Sequence, residues 1–148
     1  MIRAHFDHPH PVDRVGEGVR VLLLTGADTP GRDALIARLY STGAEVETAE
    51  ELYSVLGDLM DDSSDYGLFV MECDAFGGVD AGRRAAALLG QLKRPLPVIL
   101  LTAERAEQHF PDDWRDPAIL HQPVSSVALR VGMEQLLHRR FDWDRPEM

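Results

Sequence analysis

Residues able to do chemistry gather at three places in the chain. The first is Glu72-Cys73-Asp74, two carboxylates around the only cysteine, directly after the apolar run Leu68-Phe69-Val70-Met71. A thiol at this point could sense redox state. The flanking carboxylates, however, should raise its pKa and blunt its reactivity, and a cysteine at a strand end reads first as a small buried hydrophobe. The second place is Gly26-Ala27-Asp28-Thr29-Pro30-Gly31-Arg32-Asp33, which has the G-x-x-x-x-G spacing of a phosphate-cradling loop. There Arg32 stands where the lysine belongs and Asp33 where the magnesium-binding hydroxyl belongs. A carboxylate at that point repels phosphates, and Pro30 removes a backbone donor. A flavin phosphate is another ligand for such a loop, but no aromatic follows near the ends of the third and fourth strands to sandwich the ring. A small nucleotide- or flavin-binding α/β protein using Gly26–Gly31 is thus the alternative to the reading developed below. The third place holds His5, His8 and His10. Their spacing suits a metal, yet no carboxylate or thiol on a rigid element completes a site. The simpler reading is a solvated arm, with no metal and no cofactor.

The elements that must position these groups alternate regularly. Val19 to Leu24 is a β-branched apolar run and reads as a buried strand. Arg32 to Ser41 carries Leu35, Ile36 and Leu39 at helical spacing and ends at Gly43. Ala44 to Thr48 alternates as a short strand, and Glu50 to Met60 is helical through Leu52, Val55, Leu56 and Leu59. Tyr66 to Glu72 is the third strand, Ala81 to Leu92 a helix, and Pro97 to Thr102 the fourth strand. Ala103 to Trp114 is a weaker helical segment, broken at Pro111. Ile119 to His121 is a short fifth strand, and Ser125 to Arg140 is a final helix with Ser125 or Ser126 as its cap. Met1 to Gly18 is a mobile arm, residues 19–140 the folded domain, and residues 141–148 a polar tail. Five strands alternating with five helices, with buried runs of four to six apolar residues among the strands, predict a parallel sheet covered on both faces. The architecture is a flavodoxin-like (βα)5 three-layer sandwich with strand order 2-1-3-4-5. In it the functional site lies beyond the carboxyl ends of the strands, at Thr25 to Asp28, Glu72 to Asp74, Thr102-Ala103 and Gln122-Pro123.

Composition bounds the function. The 148 residues suit one domain, and 45% hydrophobic residues are enough to fill its core. The formal charge of −10 argues against general nucleic-acid binding, which needs a dense basic surface. No apolar run is long enough to span a bilayer, and the first residues do not form a signal peptide. A cytoplasmic protein with no membrane partner is the expectation. One cysteine excludes an intramolecular disulfide and a cysteine-built zinc cage.

Over residues 19–140 the chain resembles the receiver domain of two-component response regulators. Pro97-Val98-Ile99-Leu100-Leu101-Thr102-Ala103 is similar to the family's fourth strand, which ends in the hydroxyl and small residues that contact the phosphoryl group. Gln122-Pro123-Val124 is similar to the Lys-Pro-apolar signature after strand five. Arg32 and Leu35 lie near where the first helix carries Arg and Leu, and Gly78-Val79-Asp80-Ala81-Gly82 is similar to the family's Gly-Met-Asp-Gly turn.

The departures define an atypical receiver. Receivers phosphorylate through Mg²⁺, held by two acids after strand one and by the acceptor aspartate, because a cation must offset the repulsion between carboxylate and phosphoryl group. Here the acid pair falls on Thr25 and Gly26, with Asp28 nearby. The acceptor falls on Glu72 or Cys73 by two ways of counting, and on Asp74 only if the strand slips. The lysine falls on Gln122, which lacks the charge to hold a phosphoryl oxygen. The aromatic switch falls on Ile119, and Thr102 alone remains of the switching set. The resemblance therefore implies a pseudo-receiver, not an enzyme, that acts by phosphorylation-independent protein–protein contact or dimerisation. A working phospho-receiver using Asp74 or Glu72 is the minor alternative. Glu72 is then either a built-in anion that holds the domain in one fixed state or a relic on a fold used for its surface.

Receivers pass signals through the face of helix 4, strand 5 and helix 5, about Glu104 to Arg140 here. Arg130, His138, Arg139 and Arg140 form a basic end on an acidic protein. Such an end complements the helix C-terminus and is also a docking patch for an acidic partner or a second copy. Phe110, Trp114 and Trp143 are the aromatics nearest that face, at least one tryptophan being core. No DNA-binding segment follows, so the expected partner is a protein, a histidine kinase or another regulator, or the chain itself as a homodimer.

Overall fold

The computed structural model describes residues 15–105 and 107–144, with side chains as far as His138. His5, His8 and His10, the side chains of Arg139, Arg140 and Trp143, and the end of the tail lie outside the described residues. Five strands form one parallel sheet in the order β2-β1-β3-β4-β5. They are β1 (Arg20–Leu24), β2 (Glu45–Ala49), β3 (Leu68–Glu72), β4 (Val98–Thr102) and β5 (Ala118–His121). Four α-helices accompany them: α1 (Arg32–Ser41), α2 (Leu52–Asp61), α3 (Gly78–Gly90) and α4 (Ser126–Asp144). The flavodoxin-like sandwich and its strand order are as the sequence predicts.

Two hydrophobic layers hold the sheet. One face packs Val21, Leu23, Val70, Ile99, Leu101 and Leu120 against Leu35 and Leu39 of α1 and Leu129, Met133, Leu136 and Leu137 of α4. The other packs Leu22, Leu24, Phe69, Met71, Leu100 and Ile119 against Leu52, Val55, Leu56 and Leu59 of α2 and Ala81, Ala85, Ala86 and Leu89 of α3. Strands buried on both faces explain why their sequences run apolar without alternation. α2 begins at Glu51, whose carboxylate accepts from Tyr53 N and Ser54 N. The cap of α4 is Ser125, whose hydroxyl accepts from Ala128 N at 3.0 Å. Val15 to Gly18, expected in the arm, form a turn packed on the domain. Gly16 N donates to Thr42 O, and a Cβ on Gly16 would fall 2.4 Å from Thr42 Oγ1.

One element departs from expectation. Between Thr102 and Ala118 the described residues contain no helix, so four α-helices occur among the described residues where five were predicted. The segment instead runs antiparallel beside β5, His109 and Ile119 exchanging both backbone hydrogen bonds at 2.7 and 2.9 Å. The sequence holds the reason. Pro111 and Pro117 push Phe110 and Asp116 away from helical backbone. Asp113 spends its carboxylate on Arg115 N in an Asx turn. Trp114 then packs into the core at 5% exposure, and Phe110 packs against the same core. Trp114 is thus a core tryptophan, as expected of at least one of the two, whereas Phe110, expected to be exposed near the signalling face, is half-buried. The segment covers the edge of β5, which would otherwise present unpaired backbone groups.

Candidate functional site at the strand ends

Glu72 ends β3 and is 2% exposed. One carboxylate oxygen accepts from the Thr25 hydroxyl at the end of β1, the other from the Gln122 side-chain amide after β5. Thr25 is itself fully buried, and its backbone is fixed by Thr25 N donating to Ala49 O. Gln122 is fixed by Gln122 N donating to Thr102 O at 2.9 Å. Three strand ends thus converge on Glu72, and neutral donors satisfy both of its oxygens. A buried carboxylate needs such partners, since leaving them out costs the full desolvation penalty.

Asp74 makes a second, separate clasp. A short 3₁₀ turn, Cys73–Ala75, lifts it out of the strand. Its Oδ1 accepts from the Thr102 hydroxyl at 2.7 Å and its Oδ2 from Ala103 N at 2.8 Å. The Thr102 oxygen in turn accepts from Glu104 N at 3.0 Å. These two donors, hydroxyl and backbone amide, are the groups to which the receiver resemblance assigns phosphoryl contact. Glu104 Oε1 then lies 3.5 Å from Val79 N, bringing negative charge to the start of α3, whose own N-cap residue is Gly77 and offers no side-chain cap. The chain of contacts Asp74–Thr102–Ala103–Glu104 ties the third strand end to the start of the remade segment. His121 Nδ1 against Arg105 O at 2.6 Å fixes the same segment from β5.

Cys73 points inward between the two clasps and is fully buried. Burial first, and then the Asp74 carboxylate, push its thiol up to about 12. Gly82 of α3 passes so close that a Cβ there would fall 2.5 Å from Cys73 Sγ and 3.0 Å from Leu100 Cδ2. The thiol is a packing element, as its position at a strand end suggests.

The remaining site residues are not brought in. Asp28 lines a shallow depression with Arg32 and Asp33 at the start of α1, and no group of three His, Cys, Asp or Glu able to hold a metal occurs among the described residues. The Mg²⁺ that receivers use does not fit here, because the acid pair is Thr25 and Gly26 and both nearby carboxylates are already bonded to neutral donors. Ile119 is core, 1% exposed. The Gly26–Gly31 loop folds on itself, Thr29 N donating to Gly26 O and Arg32 N to Thr29 O. Those amides are not aimed at a ligand, and Arg32 pairs with Glu50 at 3.2 Å. A cleft of about 570 Å³ opens between α1 and the β5–α4 turn, with Leu35 and Pro123 on its walls and Asp74 and Gln122 at its polar side. None of its lining residues is aromatic, so it offers no flavin sandwich.

The clasp around Asp74 was missed in sequence, which placed the acceptor position at Glu72 or Cys73 and at Asp74 only if the strand slipped. The missing signal is the 3₁₀ turn, which moves the third residue of Glu-Cys-Asp to where the first was expected to act.

Comparison with known proteins supports the same fold. No family model matches the chain, and no curated protein does. Solved structures do. A response regulator receiver protein from Sinorhizobium medicae superposes with TM-score 0.61 at 18% identity, covering 82% of this chain and 96% of that one. The N-terminal domain of a response regulator/sensory box/GGDEF protein from Carboxydothermus hydrogenoformans gives TM-score 0.60 at 19% identity, over 85% and 99% of the two chains. The constitutive lysine decarboxylase of E. coli gives 0.60 at 12% identity, over 86% of this chain but 18% of that one. The chain has the fold of response regulator receiver domains.

Proposed function

We propose that this protein is a receiver-fold signalling module that acts by protein contact and without phosphoryl transfer. One observation carries the reading: the Thr102 hydroxyl and Ala103 amide are already occupied by the chain's own Asp74. A phosphoryl group arriving there would have to displace a carboxylate and would find no lysine and no metal pair in compensation. The Glu72 clasp supports the same reading, since neutral donors fill it. Asp74 is the built-in anion of the domain in this reading, and Glu72 is the pin that joins β1, β3 and β5.

Contact with a partner is assigned to α4. Val127 and Val131, one helical turn apart, are 60% and 37% exposed, and Arg130 lies between them in sequence. An apolar pair beside basic residues suits an acidic protein surface, as a histidine kinase or another regulator would present. No helix among the described residues is long and apolar enough to cross a membrane. The test is intact-mass spectrometry after incubation with acetyl phosphate and Mg²⁺. The mass should stay unchanged; a gain of one phosphate on Asp74 or Glu72 would overturn the proposal.

A further inference from the structure

α2 and α3 cover the sheet with their inner faces, and the groove between their outer flanks is banked by exposed apolar residues and lies between two opposite fields of charge. Buried positions 52, 55, 56 and 59 of α2 and 82, 85, 86 and 89 of α3 lie thirty residues apart throughout, so the two helices present equivalent flanks at equivalent offsets. Gly90 of α3 faces the Arg115 carbonyl, where a Cβ would come within 3.1 Å, and so marks the flank toward β5. Leu88, two residues earlier and about 200° away, lies on the flank toward α2. Met60 is the α2 equivalent of Gly90 and shares its flank with Gly57 and Tyr53 at helical spacing, so these face α3. The groove is thus banked by Tyr53, Met60 and Leu88, which are 78%, 54% and 42% exposed. A Cβ on Gly57 would meet nothing within 4 Å. A glycine inside an exposed helix costs about 1 kcal/mol relative to alanine, and nothing within the fold calls for it. It leaves a notch where another surface can approach closely.

Charge identifies the occupant. From Glu50 to Asp65 there are six acids and no Lys or Arg; from Ala81 to Arg94 there are four bases and no acid. Asp58, Asp61, Arg83 and Arg84 are all exposed, and none forms an ion pair with a described residue. A foreign partner covering both fields would need a matching pair of its own, whereas two adjacent fields of opposite sign already match their own copy turned through a half rotation. We propose that this groove is the contact surface for a second copy of the chain, with the twofold axis running along it. That arrangement lays α2 of one copy over α3 of the other. The acidic field of each copy then lies against the basic field of the other, with Asp58 about 7.5 Å along the helices from the level of Arg83, a stagger that long arginine side chains span, while Tyr53, Met60 and Leu88 close around the axis. A twofold axis across the groove would instead set acid on acid.

The inference rests on the chain being an interaction module. Its test is sedimentation of the full-length chain over a range of concentrations. The wild type should reach twice the 16.5 kDa of one chain. Asp58→Arg with Asp61→Arg, and separately Arg83→Asp with Arg84→Asp, should each weaken self-association about tenfold or more. An equimolar mixture of the two variants should dimerise again, because at positions 58, 61, 83 and 84 one then presents bases and the other acids. A wild type that stays monomeric, a dimer indifferent to either variant, or a mixture that fails to recover overturns the proposal. None of these results bears on phosphate uptake, which only the mass measurement decides.

Discussion

The sheet is built in two manners that meet at β4. From β1 to β4 each strand returns through a helix whose apolar stripe covers the sheet, with Leu35 and Leu39 in α1, Leu52, Val55, Leu56 and Leu59 in α2, and Ala81, Ala85, Ala86 and Leu89 in α3. After β4 the return is an extended segment that pairs with β5 at His109 and plugs the core with Trp114. A helix carries its own backbone hydrogen bonds, whereas an extended segment must borrow them. The borrowed anchors are side chains at the strand ends, with Asp74 holding Thr102 and Ala103, and Glu104 reaching the start of α3. The comparison teaches that Asp74, at the receiver-like strand ends, also anchors the start of the extended return, together with Glu104.

The largest effect is expected where the extended return is plugged. Trp114→Ala should cost about 3–5 kcal/mol of stability in chemical denaturation; a loss below about 1 kcal/mol would mean that the segment is an ornament on a sheet that stands without it. Next is the buried pin. Glu72→Ala strands the Thr25 and Gln122 donors and should cost about 2 kcal/mol. Cys73→Ser should cost less, about 1 kcal/mol, since it leaves the Thr25 and Gln122 donors on Glu72 and introduces only one buried hydroxyl. Equal, negligible losses from the two changes would remove the distinction between pin and filler. Asp74→Ala, at an exposed position, should cost about 1 kcal/mol and speed hydrogen exchange at Ala103 N while leaving amides of β1 and β2 protected.

The buried thiol gives a smaller, pH-dependent signal. Its folded value is about 12 against an ordinary 9.0. Above pH 9 the unfolded chain releases a proton that the folded chain keeps, so stability should fall as pH rises from there toward 12 and be insensitive to this group below pH 9. A Cys73→Ala comparison by thermal melting at pH 8 and pH 10 isolates the contribution.

The regular half was legible because its signals are local and repeated. Apolar runs such as Val21 to Leu24 read as buried strands, and Leu35, Ile36 and Leu39 carry the helical spacing of α1. The remade half was not, because Ala103 to Trp114 has too few apolar residues to decide between helix and extended chain. The pairing of His109 with Ile119 is a contact between segments that no local pattern announces. At the site, the neutral residues at Thr25, Gly26 and Gln122 were plain in the sequence. Which carboxylate meets Thr102 depended on one turn of 3₁₀ geometry at Cys73–Ala75, below what spacing can resolve.

The most direct measurement follows the Thr102 and Ala103 amide resonances by NMR while beryllofluoride, a mimic of the acyl-phosphate group, is added with Mg²⁺. With Asp74 already on both groups, the resonances should not move. A saturable shift of Ala103 N–H, with release of Asp74, would contradict the closed site and restore the protein to the phosphorylated receivers.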